Sequence, residues 1–168
     1  MVVAVLGKSG AGKSTLLRLI SGLALPSVGD ILVDGVNLKS FSQEVRNKRF
    51  SIAMQDPMIF SGTLLENITL STEPPDSKRL MQVISVCCLD ELIGTLSDGL
   101  ASKVRERGQD FSGGQRQLIS IARALYRDVD FYFFDEPTSS LDPATEAKLV
   151  HNLQSFLANK AVLFSTHK

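Results

Sequence analysis

"VVAVLGKSGAGKSTLLRLISGL", residues 2–23, decides how the rest of the chain is read. Val2 to Leu6 form a short continuous apolar run, the pattern of a strand buried on both faces. A glycine-rich loop follows, and then "KSTLLRLISGL", a helix stopped near Gly22 and Pro26. The loop matches G-x-x-x-x-G-K-[ST] in full at Gly7, Gly12, Lys13 and Ser14, with the strand before and the helix after that this motif requires. Glycines let backbone approach a phosphate and aim successive N–H groups at it. The helix N-terminus adds roughly half a positive charge. In this pattern Lys13 neutralises the β- and γ-phosphates of a nucleotide, and the Ser14 hydroxyl ligates Mg²⁺.

Such a loop needs an acid for the metal at a neighbouring strand end. "FYFFDE" (131–136) supplies it: four aromatics expected to be buried in a strand, then Asp135 and Glu136 at its C-terminal edge. Ligands bind at that edge in open parallel sheets. Asp135 is expected to hold Mg²⁺ through water, and Glu136 to polarise an attacking water.

Further strands are expected at "SIAMQD" (51–56) and "AVLFST" (161–166), and a hairpin or edge strand at "DILVDG" (30–35) with its turn at Asp34-Gly35. A helix runs from about Pro143 to Leu157, with Asp142 as N-cap. From Thr63 to Arg127 the periodicity is helical, with capping boxes at Thr63/Glu66 and Ser112/Gln115. The expected organisation is an α/β core made of residues 1–56 and 129–168, interrupted by a helical insert over 57–128.

Composition narrows the classes. The 168 residues suit one domain, and 43% hydrophobic with 21% charged is ordinary globular usage. Eighteen basic residues balance eighteen acidic ones, which gives no electrostatic footprint for nucleic acid. No apolar run approaches the ~20 residues needed to cross a bilayer. "MVVAVLG" lacks the basic region of a signal peptide. The adjacent Cys87 and Cys88 read as two small apolar residues on a helix, since neighbouring cysteines rarely meet disulfide geometry and two ligands do not make a zinc site. A reducing cytosolic compartment follows.

"FSGGQRQ" (111–117) opens a helix with a glycine pair but no Lys-Ser after it. With this element the order "GKSGAGKST", "AMQDP", "FSGGQRQ", "FYFFDEPTSSLD", "STH" resembles the nucleotide-binding domain of ATP-binding cassette (ABC) transporters over essentially the whole chain. The resemblance implies a P-loop NTPase fold, RecA-like, with a parallel-sheet core and an inserted helical subdomain. It implies ATP and Mg²⁺ as ligands, with Gly7, Lys8, Ser9, Gly10, Ala11, Gly12, Lys13, Ser14 and Thr15 around the phosphates. Ser14, Gln55 and Asp135 would serve the metal, and Glu136, His167 and Gln55 the chemistry. Two cassettes would meet head to tail, so that Ser112, Gly113, Gly114, Gln115 and Asp142 complete the partner's site. "QDPMIFSGTLLENI" (55–68) and "VRERG" (104–108) look like the exporter class and imply docking of transmembrane domains at Gln55–Asn67 and Val104–Gly108, on the cytoplasmic side of a membrane. Arg105 stands where that pattern has Gly, Phe111 where Leu is commoner, and Ser140 where Ala is usual.

The family commonly stacks adenine on an aromatic upstream of the loop, but none of the twelve residues before Lys13 is aromatic. The chain therefore looks like the catalytic middle of a cassette. Two other readings stay open: a cassette that binds nucleotide without turnover, and a soluble ATPase of the same type. The short separation of Lys13 and Asp135 excludes the long coiled-coil insertion of many soluble relatives.

Overall fold

The computed structural model describes residues 1–167, and of Glu106 the backbone alone. In chain order, β1 (Val2–Leu6) leads into α1 (Lys13–Ile20), followed by the hairpin β2 (Leu32–Val33) and β3 (Val36–Asn37). Next come α2 (Gln43–Arg49) and β4 (Phe50–Ala53). A mostly helical stretch follows: β5 (Gly62–Thr63), α3 (Leu64–Thr69), α4 (Ser77–Val86), α5 (Asp90–Thr95), β6 (Lys103–Val104) and α6 (Gly113–Tyr126). The chain then returns to the sheet with β7 (Phe131–Asp135), α7 (Pro143–Phe156) and β8 (Ala161–Thr166). The central sheet has the order β1-β8-β7-β4, every pair parallel.

Strand alternation assigns helices to the two faces. On β7, Phe133 packs with Leu17 of α1, Leu38 and Phe50. Its neighbours Tyr132 and Phe134 join Ile119, Ile121 and Leu125 of α6 and Leu149 of α7 on the other face. Ser51 of β4, one residue out of phase with Phe50, donates its hydroxyl to the Ala124 carbonyl of α6 at 2.9 Å. Thus α1 and α6 lie on opposite faces of the sheet.

The turn and cap chemistry matches the sequence reading. Asp34 (φ 53°) and Gly35 (φ 80°) give the two positive φ values of a type I′ hairpin turn. Both capping boxes form, at Thr63/Glu66 and Ser112/Gln115. Asp142 caps α7, with Pro143 in its first turn.

Three expectations need correction. The first strand is present but not buried on both faces: Val2 and Leu6 are 65% and 69% exposed, because β1 is an edge of the sheet. A continuous apolar run cannot distinguish an edge from a centre. Phe131 is only half-buried, being the first residue of its strand. Cys87 and Cys88 do not lie within a helix but end one. Cys88 takes the left-handed conformation (φ 56°), with Cys88 N bonded to Ser85 O at 3.1 Å and Leu89 N to Ile84 O at 3.0 Å. That bond pair is a Schellman stop. Burial raises the pKa of both thiols, and no cluster of three or more metal-ligating side chains exists among the described residues.

Candidate active site

Each strand of the sheet delivers a singled-out residue just beyond its C-terminal end. The Gly7–Gly12 loop follows β1, Gln55 follows β4, Asp135 and Glu136 close β7, and His167 follows β8. Parallel pairing puts those ends on one edge. The side chains meet at Glu136. Its Oε1 lies 3.4 Å from Lys13 Nζ, while its Oε2 accepts from Gln55 Nε2 at 3.2 Å and lies 3.5 Å from His167 Nδ1.

The loop is shaped as an anion cradle. Lys13 is buried, and its Nζ donates to the carbonyls of Gly7 (2.8 Å) and Lys8 (3.2 Å), which folds the loop around the ammonium. Gly12 is the N-cap of α1 and offers no side-chain cap; α2, α3, α4, α6 and α7 are capped by Ser42, Thr63, Asp76, Ser112 and Asp142, while the short α5, beginning after Leu89, also lacks a side-chain cap. The first N–H groups of α1 are thereby left for a ligand. Gly10 (φ 78°) and Gly12 (φ 88°) need glycine for their backbone conformation, and a Cβ on either would meet no atom within 4 Å. Space stands open over a loop that presents Lys8, Ser9, Ala11, Ser14 and Thr15 beside Lys13. These residues fit a polyphosphate. Asp135, the Ser14 hydroxyl and the Gln55 amide oxygen are the hard oxygen donors that Mg²⁺ takes.

Both acids are tied to Ser165, a residue the sequence reading missed. Ser165 is fully buried in β8, opposite Asp135 in register. Its hydroxyl donates to Asp135 Oδ1 at 2.6 Å and accepts from Glu136 N at 3.0 Å. Glu136 itself has φ 45°, a conformation that non-glycine residues rarely adopt. "AVLFST" shows a serine near a strand end, but only the strand order reveals what it faces.

The glycine-pair element forms a second cluster. Ser112 N donates to Gln115 Oε1 at 2.8 Å, and Gln115 N to Ser112 Oγ at 3.2 Å. A Cβ on Gly114 would lie 2.9 Å from the Ser140 carbonyl oxygen, so this glycine is also required by close packing against the 136–142 segment. Asp142, at the end of that segment, accepts at Oδ1 from Ala144 N (3.1 Å) and Thr145 N (3.0 Å). Hydrogen bonding to Thr145 holds its carboxyl below the usual carboxylate range. The structure therefore groups Lys13, Gln55, Asp135, Glu136 and His167 in one place, and Ser112–Gln115 with Ser140 in another.

A third surface joins the two stretches singled out for docking. Gly62 of β5 pairs with Val104 of β6, and Gly108 (φ 61°) packs so closely on Ile59 that a Cβ would come within 3.0 Å. Met58 and Phe60, 69% and 45% exposed, form an apolar patch there. Beneath it Arg123, another residue missed from sequence, donates to Met58 O (2.6 Å) and Asn67 O (2.7 Å) and lies 5.0 Å from the Phe60 ring centroid. Burial lowers its pKa to about 10. Arg105, at the departure from the exporter pattern, is exposed and lies 3.5 Å from Asp110.

A phosphate loop after the first strand, with acids at the end of a parallel strand, defines the class: a P-loop nucleotide-binding ATPase fold. The acid-bearing β7 is not the neighbour of β1 expected from sequence but lies one strand away, with β8 between them, because strand order is set by tertiary pairing and not by the motif. The chain belongs to the ABC transporter family, whose sequence pattern matches residues 1–139. It is 40% identical over 165 residues to the mycobactin import ATP-binding/permease protein IrtB of Mycolicibacterium smegmatis, covering 98% of this chain and 29% of that protein. It is 33% identical to the leukotoxin export ATP-binding protein LtxB of Aggregatibacter actinomycetemcomitans, covering 99% of this chain and 24% of that protein. Among solved structures, a bacterial Atm1-family ABC exporter with ATP bound superposes with a TM-score of 0.92 at 30% identity, covering 99% of this chain and 30% of that one. The chain thus spans less than a third of the length of these relatives. No helix among the described residues is long and apolar enough to cross a membrane.

Proposed function

We propose that this chain is the ATP-binding and ATP-hydrolysing cassette of an exporter-type ABC transporter and works as a head-to-tail pair. The observation that carries the reading is the convergence of four strand ends on Glu136, beside a phosphate loop whose helix has no side-chain cap. The backbone of residues 7–15 and Lys13 bind the phosphates of ATP. Ser14, Asp135 and Gln55 hold Mg²⁺, which when bound offsets charge on the phosphates. Glu136 accepts a proton from the attacking water, and Gln55 and His167 orient its carboxylate through Oε2.

The trans arrangement has support in the placement of α1 and α6 on opposite faces of the sheet. A Ser112 cluster so placed suits the phosphates of a second copy better than those of its own chain, and Asp142 would lie at the same junction. A full charge supplied in trans is worth ~10³–10⁵ in rate; a serine hydroxyl and a helix N-terminus carry only partial charge, so slow turnover is expected.

The Met58–Phe60 patch, continuous with Val104–Gly108, suits the transmembrane portion of a transporter. Through it the cassette would sit on the cytoplasmic side of the membrane, with residues 57–128 acting as a helical unit between that contact and the 1–56/129–168 core.

The test is the solution mass of the Glu136→Gln chain with and without Mg-ATP. The substitution removes the proton acceptor and leaves the phosphate loop intact, so a shift from monomer to dimer on adding Mg-ATP, with hydrolysis abolished, is expected. Undiminished hydrolysis would remove Glu136 from the mechanism. A mass that stays monomeric while nucleotide binds would favour a binding module without turnover.

A further inference from the structure

Gln117 of α6 is fully buried, and neither its Nε2 nor its Oε1 has a hydrogen-bond partner among the described residues. A buried amide without partners destabilises a fold at both atoms, whereas an apolar side chain of similar volume does not. Helix geometry fixes its neighbourhood. Gln117 follows Gly114 by three residues and Gly113 by four, so the three share one face of α6. Both glycines on that face abut the segment after β7. A Cβ on Gly114 would lie 2.9 Å from the Ser140 carbonyl oxygen and 3.3 Å from Leu141 Cδ2, and one on Gly113 would lie 3.8 Å from Ser140 Cβ. Helical side chains lean toward the helix N-terminus, the direction in which the two glycines and that segment lie from Gln117. The segment runs from Glu136 to Asp142 and is held internally by two short-range bonds, Ser139 N to Glu136 O and Leu141 N to Thr138 O.

We propose that Gln117 is a positioning residue whose amide closes hydrogen bonds to the backbone of 136–142 when Mg-ATP and a second cassette shift that segment, which already abuts α6, into register with the amide. A primary amide carries a donor and an acceptor, the match for a peptide group. The two glycines let the segment lie close against α6, within reach of a small shift along it. Closing the bonds fixes the spacing between Glu136, which acts on the chain's own nucleotide, and Ser112, which reaches the partner's. The inference rests on the cassette reading above.

The test compares the wild-type chain with Gln117→Met, which keeps the volume and removes the amide. Without nucleotide, the Met chain is expected to melt about 2–8 °C higher, because two unpartnered polar atoms are gone. With Mg-ATP, amide hydrogen exchange at residues 138–141 should slow by about tenfold or more in wild type and by much less in the Met chain. Binding of a fluorescent ATP analogue should agree between the two within about threefold, or 0.65 kcal/mol at most. An equal or lower melting temperature would overturn the proposal, since the amide would then be satisfied already. Equal protection in both chains would overturn it as well. If Gln117→Met fails to fold, Gln117→Leu takes its place under the same criteria. Nucleotide binding without protection of 138–141 sinks this inference alone; absence of nucleotide binding in the wild type sinks the cassette reading and this inference with it.

Discussion

Ser165 holds the two acids of the site through one hydroxyl, donating to Asp135 and accepting from the Glu136 N–H. Glu136 sits at a positive φ, so its conformation depends on such neighbours to persist. Ser165→Ala would leave a buried carboxylate oxygen and a backbone N–H without partners, at about 1–3 kcal/mol. The expected result is a melting temperature several degrees lower, with hydrolysis reduced more than ATP affinity. Calorimetry and steady-state kinetics on the two chains check this, and an unchanged kcat would show that the hydroxyl does not position Glu136. Strand periodicity alone could not single out Ser165, because a strand's sequence does not say which residue of which neighbour it will face.

At the level of elements, the helix starts are where sequence and structure agree most closely. Thr63, Ser112 and Asp142 were legible because a cap is a local event, completed by atoms three residues away. Two of these starts also depend on pH. Backbone hydrogen bonding from Thr63 lowers the pKa of Glu66 from its ordinary 4.5, and hydrogen bonding to Thr145 lowers that of Asp142 from 3.8. A carboxylate whose folded pKa is depressed contributes stability above its unfolded value, and the contribution is lost as pH falls through the folded value. Melting temperature should therefore fall as pH drops from about 5 toward 3. Asp142→Asn, a neutral residue that still caps, should flatten the part of that slope due to α7. An identical slope in wild type and variant would show that Asp142 contributes nothing to it. The first strand marks the opposite limit: "VVAVL" reads the same whether it is central or at an edge, and the sheet places it at an edge.

For the molecule as a whole, the phosphate loop and the Ser112 cluster belong to helices on opposite faces of one sheet. If the cluster works in trans, a mixture of Lys13→Ala and Ser112→Arg chains should regain up to one active composite site per mixed dimer, though each variant alone is inactive. Hydrolysis measured on the mixture decides the matter, provided dimers are shown to form. Recovery of no activity would count against the paired site.

The sequence by itself determined the phosphate loop, the acid pair, the helix caps, the hairpin turn and the family resemblance. Each is set by residues close along the chain, or by motif spacing. Tertiary structure alone decided that β1 is an edge, that Ser165 links Asp135 to Glu136, that Arg123 underpins the Met58–Phe60 patch, and that the buried Gln117 amide has no hydrogen-bond partner among the described residues. Those facts depend on strand order and on which helix face meets which loop. The same local pattern is compatible with many such pairings, and only packing of the whole chain selects one.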